Sequence, residues 1–570
     1  MEVVLNIGNY NLLVKKSLEK LEKEQIVQRI WKNDHTVWKP EPTEITNRLG
    51  WLHSPEMMTP IIQDIEGFVE EVRSAKFTHA LLLGMGGSSL APEVFRKIFG
   101  VKIGYMDLAV LDSTIPGAVL SYAKTLNPKK TLFIASTKSG GTVETLSFLK
   151  YFYNLTLKKV GKGQVGNHFI AITDPGSGLE TLAKKLNFRK IFLNDPNIGG
   201  RYSALSYFGL VAAGLIGVDL NKLLDHAQIM AGDNGGCNQR ENRENTAAIL
   251  GTVMAELARI GRDKLTFIIS PEFEPFGHWV EQLIAESTGK EGVGILPIVG
   301  EQLLSPQDYS DDRLFVYLKL NSDTTYDSQV KSIKDSGHPV IEINLQDKYD
   351  LGGEFFRWEF ATAVASYFFK INPFDQPNVE AAKVKARKMM ATYQQKGKLP
   401  EAEPIFETDG IKSFADEKTN DLKEAMTNFL NKANPGQNGK DRSYVAIQAF
   451  IRPTSETDNA LQELRTTIQK KYRMSTTVGY GPRFLHSTGQ LHKGDAGNGL
   501  FIQITAENAE DAPIPDKAGE ESSSMSFGVL ALAQALGDRQ ALLDAKRKVI
   551  RFHLNSDVAS KIKKLIGVIN

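Results

Sequence analysis

The sequence predicts an α/β protein of doubly wound parallel sheets, and three observations carry that prediction. Short apolar runs alternate with stretches of helical periodicity, the pattern of strands covered on both faces by crossover helices. The 570 residues exceed what one core holds and correspond to about three domains. Glycine- and hydroxyl-rich loops stand where strand gives way to helix, so a helix N-terminus and an exposed backbone face whatever binds there.

Residues 1–70 read as an N-terminal helical segment, with SLEKLEKEQIVQRIWK as its clearest amphipathic run. A first α/β domain is expected over 71–250, from the strands HALLLG, DLAVLDS, KTLFIAST, NHFIAIT and KIFLND. A second is expected over 251–400, from KLTFIIS, LFVYLKL and HPVIEINL, the long helix GGEFFRWEFATAVASYFF and a Lys-rich helix from about Val379. Residues 401–440, with Pro, Glu and Gly, read as a linker. A C-terminal α/β block over 441–570 carries the strands SYVAIQAFI, GLFIQIT and VIRFHL. No short-period repeat points to a solenoid.

Composition excludes several classes of function. Lys plus Arg number 68 against 67 Asp plus Glu, a net charge of +1, which supports neither a basic nucleic-acid groove nor a polybasic membrane face. The single cysteine, Cys237, makes neither an internal disulfide nor a cysteine-based zinc site, and fits a reducing cytoplasm. The N-terminal stretch MEVVLNIGNYNLLVKK lacks a signal-peptide core, and no segment reaches the length of a membrane span. A cytoplasmic protein that meets any anionic substrate with a local site is expected.

The loop Gly84-Met85-Gly86-Gly87-Ser88-Ser89 lies between a strand and a helix. It is neither a Walker A loop nor a dinucleotide fingerprint, and by itself reads equally as a tight turn or a phosphate site. The loop Ser136-Thr137-Lys138-Ser139-Gly140-Gly141-Thr142 has four hydroxyls, a lysine and two glycines at one such junction. A helix capped by Thr142 needs one hydroxyl; four of them beside a lysine suit a phosphate monoester.

These motifs resemble those of the glucose-6-phosphate isomerases, proteins of two sugar-isomerase (SIS) domains. GMGGSSLAP resembles that family's GxGGSxLGP loop. STKSGGTVET resembles its SKTFTTxET phosphate loop, with two glycines in place of bulkier residues. GGRYSALS, AESTGKEG and NPFDQPNVEAAK follow in the family's order, so the resemblance spans roughly residues 70–385. It implies two SIS-type doubly wound parallel-sheet domains followed by the third, C-terminal α/β block. It implies a phosphate cup of Ser88, Thr137, Lys138, Ser139 and Thr142, with Gly86 and Gly87 letting the sugar approach the backbone. It further implies Arg201 beside a developing enediolate and Glu286 as the base that moves a proton between C2 and C1. Gln282 lies one turn before Glu286 on the same helical face. Gln376 and Lys383 match functional positions of the family's FDQxGVELGK motif, although Pro377-Asn378 and Ala381-Ala382 replace its intervening residues.

One element departs from the family order. A ring-opening histidine normally lies between the Glu and Lys motifs, but there only His338 occurs, in an unrelated context. The expected HSxGQ pattern stands instead at His486-Ser487-Thr488-Gly489-Gln490, in the C-terminal block. A site is defined by geometry and not by chain order, and in this family the histidine comes from the neighbouring subunit. His486 is therefore expected to be catalytic. The arrangement resembles the isomerase half of bifunctional transaldolase/glucose-6-phosphate isomerases. A transaldolase barrel would need roughly 250 residues before the first SIS domain, and only about 70 precede it here.

The resemblance thus implies a homodimeric, cytoplasmic aldose–ketose isomerase that interconverts glucose 6-phosphate and fructose 6-phosphate. No metal or cofactor is expected, because the reaction is a net-neutral proton shift. Two other readings stay open: an isomerase of another phosphosugar such as mannose 6-phosphate, and a non-catalytic SIS protein that binds a sugar phosphate.

Overall fold

Strand β1 (Glu2–Asn6) opens the chain, inside the stretch read as helical. It crosses the molecule to pair antiparallel with a strand more than 300 residues away, a partner that local periodicity cannot reveal. The computed structural model describes residues 2–235, 245–400, 402–437 and 439–569; Cys237 lies outside them.

The apolar runs become strands buried on both faces. The first sheet holds β2 (His79–Gly84), β3 (Asp107–Leu111), β4 (Thr131–Ser136), β5 (Phe169–Thr173) and β6 (Lys190–Leu193), all parallel, in the order β3-β2-β4-β5-β6. The second holds β7 (Lys264–Ile269), β8 (Leu296–Ile298), β9 (Arg313–Leu320) and β10 (Val340–Leu345) in the order β8-β7-β9-β10, with β1 at the far edge. The three-residue β8 is too short to stand out in sequence.

The third sheet holds β11 (Phe406–Thr408), β12 (Ile411–Phe414), β13 (Tyr444–Phe450), β14 (Ser475–Tyr480), β15 (Gly499–Ala506) and β16 (Lys548–Leu554). Its parallel strands run β14-β13-β15-β16, so all three sheets share one winding that reverses beside the first parallel strand. The stretch 401–440, read as a linker, instead contributes the β11–β12 hairpin. It also supplies a helix, Leu422–Leu430, whose Met426, Phe429 and Leu430 enter the third core. Its apolar residues bury against the sheet despite the polar composition around them.

Helices α1 (Leu90–Phe99) and α2 (Val143–Val160) follow the first two glycine- and hydroxyl-rich loops. Helix α3 (Phe276–Thr288) follows β7, and α4 (Asp350–Phe369) is buried along most of its length between the two lobes. Helices α5 (Val379–Lys396), α6 (Gly489–Gly494) and α7 (Phe527–Asp544) complete the site's scaffold.

One core joins the N-terminal helices to both lobes, through residues such as Trp51, Phe95, Trp279 and Phe355. The C-terminal block straddles that pair. Phe527 and Leu530 of α7 pack with Phe148 of the first lobe, while Leu491 and Phe501 pack with Ala285 and Ile298 of the second. No helix among the described residues is long and apolar enough to cross a membrane.

Candidate active site

In an open parallel sheet the crevice lies outside the carboxyl ends of the strands, where the winding reverses. In the first sheet that point falls between β2 and β4, so the loops after them, 84–89 and 136–142, flank one crevice. Ser136 Oγ donates to the Ser88 carbonyl at 3.1 Å, and so ties the two loops together.

Gly86 and Gly87 are there for close approach. Gly86 has φ +53°, and a Cβ on it would lie 2.7 Å from the His486 carbonyl and 2.9 Å from Gln282 Nε2. A Cβ on Gly87 would lie 2.0 Å from the Gly200 carbonyl. The loop is therefore the floor on which Gly200-Arg201, α3 and the His486 segment converge.

Arg201 is buried, and each of its guanidinium nitrogens has a partner. Nε donates to Ser287 Oγ at 2.8 Å, Nη1 to Gln376 Oε1 at 3.0 Å, and Nη2 to the carbonyls of Pro373 at 2.5 Å and Asp375 at 3.0 Å. Nη1 also lies 3.2 Å from Glu286 Oε1. Gln282 and Glu286 are one turn apart on α3, and Gln282 Nε2 donates both to Glu286 Oε2 at 3.0 Å and to the His486 carbonyl at 2.7 Å. The other amide atom, Gln282 Oε1, is buried without a protein partner. Lys290, which sequence reasoning did not single out, donates to the Asp375 carbonyl at 2.5 Å and to its carboxylate at 2.8 Å. Burial, with the nearby Arg201 charge, brings its ammonium down to about 8.

The His486 side chain points to the other half of the site. Its Nε2 lies 2.9 Å from Glu144 Oε1, on the first turn of α2. Burial raises the proton affinity of Glu144, but the His486 and Lys383 charges and the His486 hydrogen bond outweigh it, and the carboxyl sits below its ordinary value. Glu144 and His486 share a cavity of about 480 Å³ with Ser139, Gly141, Thr142, Lys383 and Lys493. Lys383 stands exposed on α5 at its wall.

The hydroxyl loop differs from a simple helix cap. Thr142 occupies the N-cap of α2 but makes no capping bond; its hydroxyl pairs with Thr137 Oγ1 at 2.8 Å. Thr142 thus leaves the N–H groups at the start of α2 uncapped by its own hydroxyl, an arrangement open to an anion. Gly140 has φ +70° and packs against 177–179, where a Cβ would lie 2.6 Å from Leu179 N. That contact accounts for a glycine where the family loop has a bulkier residue. Lys138 turns out of the cup: it pairs with Asp174 and donates to the Pro196 carbonyl at 2.8 Å. Thr137 and Ser88 are buried, and Ser139 is exposed.

The segment carrying His486 is anchored within the same chain. Gln490 Nε2 donates to the Gly289 carbonyl at 3.0 Å and to Asn378 Oδ1 at 2.7 Å, and Gly292 N donates to the Gly494 carbonyl at 2.9 Å. Lys493 and Asp538, both buried, pair at 2.6 Å. The glutamate partner of His486 and these anchors were missed in sequence. Glu144 stood inside a quoted motif, but its partner lies 342 residues away.

Two wound sheets thus meet at one site, with a hydroxyl loop at one reversal point and the buried Arg201–Glu286 pair beside it. Residues 55–294 match the family model described as phosphoglucose isomerase. Over that stretch the chain is similar to the phosphoglucose isomerases. It is 29% identical over 395 residues to the glucose-6-phosphate isomerase of Carboxydothermus hydrogenoformans, covering 59% of this chain and 83% of that protein. It is 27% identical over 393 residues to the glucose-6-phosphate isomerase of Thermus thermophilus, covering 60% of this chain and 90% of that one. Among solved structures, a hypothetical protein from Thermus thermophilus shares the fold with a TM-score of 0.58 at 24% identity, over 68% of this chain and all of that one. The glucose-6-phosphate isomerase of Chlamydia trachomatis shares it with a TM-score of 0.57 at 17% identity, over 67% and 86%.

Proposed function

We infer that this chain interconverts glucose 6-phosphate and fructose 6-phosphate through a cis-enediol. The observation that carries the reading is the convergence at Gln282, whose amide bonds both the Glu286 carboxylate and the His486 backbone. It joins a buried Arg201–Glu286 pair to a histidine–carboxylate pair beside a hydroxyl-rich loop.

The substrate phosphate sits at the first turn of α2, met by its N–H groups and by Ser139 and Thr142. Ser88 and Thr137 support the cup from beneath, and Lys138 contributes charge at its edge while held by Asp174. Ring opening needs one proton placed on the ring oxygen and one taken from the anomeric hydroxyl, and His486 and Lys383 move them. Glu286 takes the proton from C2 and returns it to C1 on the same face. Arg201, fixed by its partners before substrate arrives, stabilises the negative charge on the enediolate oxygens without reorganising. Gln282 and Gln376 hold sugar hydroxyls, with the unpartnered Gln282 Oε1 as an acceptor. Gly86 and Gly87 keep the floor free of side chains. Each step moves protons only, so substrate and product have the same composition.

We extend the reading to a homodimer in the cytoplasm and to folding units at 71–250, 251–400 and 441–570, the last completed by the hairpin and helix of 401–440, which limited proteolysis and light scattering test. The activity itself is tested with fructose 6-phosphate and a coupled glucose 6-phosphate readout. Wild type should turn over, and Glu286→Gln should lose about 10³-fold or more in kcat at similar KM. A folded wild-type chain that leaves both hexose phosphates unchanged would overturn the function.

A further inference from the structure

Helix α7 presents one face to the site. Gln534 Nε2 donates to Glu144 Oε1 at 2.6 Å, the oxygen that His486 Nε2 reaches at 2.9 Å. Thr114 Oγ1 donates to Gln534 Oε1 at 2.8 Å, which fixes the amide so that its nitrogen faces the carboxylate. One turn further on, Asp538 holds Lys493 of the histidine segment. Between them Gly537 lies against α5, where a Cβ would come within 2.7 Å of Ala386 N, one turn past Lys383. Gln534, Thr114 and Glu144 are all buried, so these bonds are not shared with bulk water.

We propose that Gln534 is a positioning residue for the ring-opening step: it holds the Glu144 carboxylate, which in turn orients the His486 imidazole. The proposal rests on the isomerase reading and gives the C-terminal block a part in catalysis beyond carrying the histidine. A carboxylate that accepts from Gln534 is fixed in rotation, and it then accepts from His486 Nε2–H. That hydrogen bond selects the imidazole tautomer, leaving Nδ1 as the nitrogen free to exchange a proton with the sugar. Gln534 itself touches no reacting atom.

The test uses the full chain with Gln534→Met, which keeps length and bulk but removes the donor. Ring opening is read as exchange between the α and β anomers of glucose 6-phosphate. Proton transfer is read as the deuterium isotope effect at C2. The His486 imidazole is read by ¹⁵N NMR, assigned with His486→Ala. Anomer exchange should slow about tenfold at unchanged KM, the C2 isotope effect should shrink toward unity, and the His486 nitrogens should shift toward a mixture of tautomers. Thr114→Val, which lies one bond further out, should act in the same direction by about threefold, and it serves if Gln534→Met does not fold.

A fall in kcat with the isotope effect undiminished would make Gln534 a packing residue. Unchanged anomer exchange with unchanged His486 resonances would remove the link altogether. The resonances need no turnover, so a wild type inactive on hexose phosphate would sink the isomerase reading and leave this test intact.

Discussion

Lys290 and Arg201 show how charge is used residue by residue. Both are buried cations that converge on the Asp375 carbonyl: Arg201 ties the Gly200–Tyr202 turn to the 372–376 turn, and Lys290 ties the loop after α3 to it. Arg201 has a partner on every nitrogen. Lys290 has fewer, and its ammonium is brought down to about 8. Between about 8 and the ordinary lysine value near 10.4 the unfolded chain then binds more protons than the folded one, so stability rises with pH across that window. Relative to Lys290→Met, wild type should gain about 2 kcal/mol from pH 7 to pH 10, read by urea unfolding at each pH. A flat difference would mean that the Asp375 contacts hold the lysine proton as firmly as water does. Arg201 and Glu286 were legible in sequence, since each sits in a motif of fixed spacing. The place of Lys138 was not. Its partner Asp174 is on the next loop, and a lysine among hydroxyls looks the same whether it faces into the cup or away.

At the scale of the element, strands buried on both faces were the most legible part of the fold. HALLLG, TLFIAS and FIAIT are continuous apolar runs, and their length settles them as strands. β1, β8, β12 and the Leu422–Leu430 helix escaped because they are short or stabilised by distant partners. The loops between elements divide the same way. Gly87 and Gly141 look alike in sequence, yet a Cβ on Gly87 meets the rigid Gly200 backbone at 2.0 Å while one on Gly141 meets nothing within 4 Å. Gly87→Ala should therefore displace the Gly200-Arg201 turn, cost about 1–3 kcal/mol in stability and lower kcat at least 100-fold. Gly141→Ala, on an exposed loop, should leave stability within about 0.5 kcal/mol. Thermal melts and the coupled assay on the two variants separate these outcomes. Equal tolerance of both would mean that the 84–89 loop moves freely and is not the floor of the site.

At the scale of the molecule, the three large sheets share one winding, the third set across the other two. The histidine's distance in sequence, some 200 residues beyond Glu286, is cancelled by that placement. Its backbone carbonyl bonds Gln282, and its segment is anchored on Gly289, Gly292 and Asn378 of its own chain. A second set of contacts holds the block in place. Glu301, in a buried pair with Arg313, accepts from Thr476 N at 3.2 Å and Thr476 Oγ1 at 3.1 Å, while Arg465 Nη2 donates to the Thr476 carbonyl at 2.8 Å. Chain order alone left open which subunit supplies the histidine; we propose that it acts within its own chain, where Gln282 Nε2 bonds its carbonyl. Mixing two inactive variants, Glu286→Gln and His486→Ala, decides the point. If each site borrowed its histidine from a partner, random exchange of subunits would restore about a quarter of wild-type activity, because half the dimers would contain one intact site. With Glu286 and His486 in one chain, every site in every mixed dimer lacks one of the two groups. Unfolding and refolding an equimolar mixture should therefore leave activity at the level of the separate variants. Recovery near one quarter would place the histidine in the neighbouring subunit.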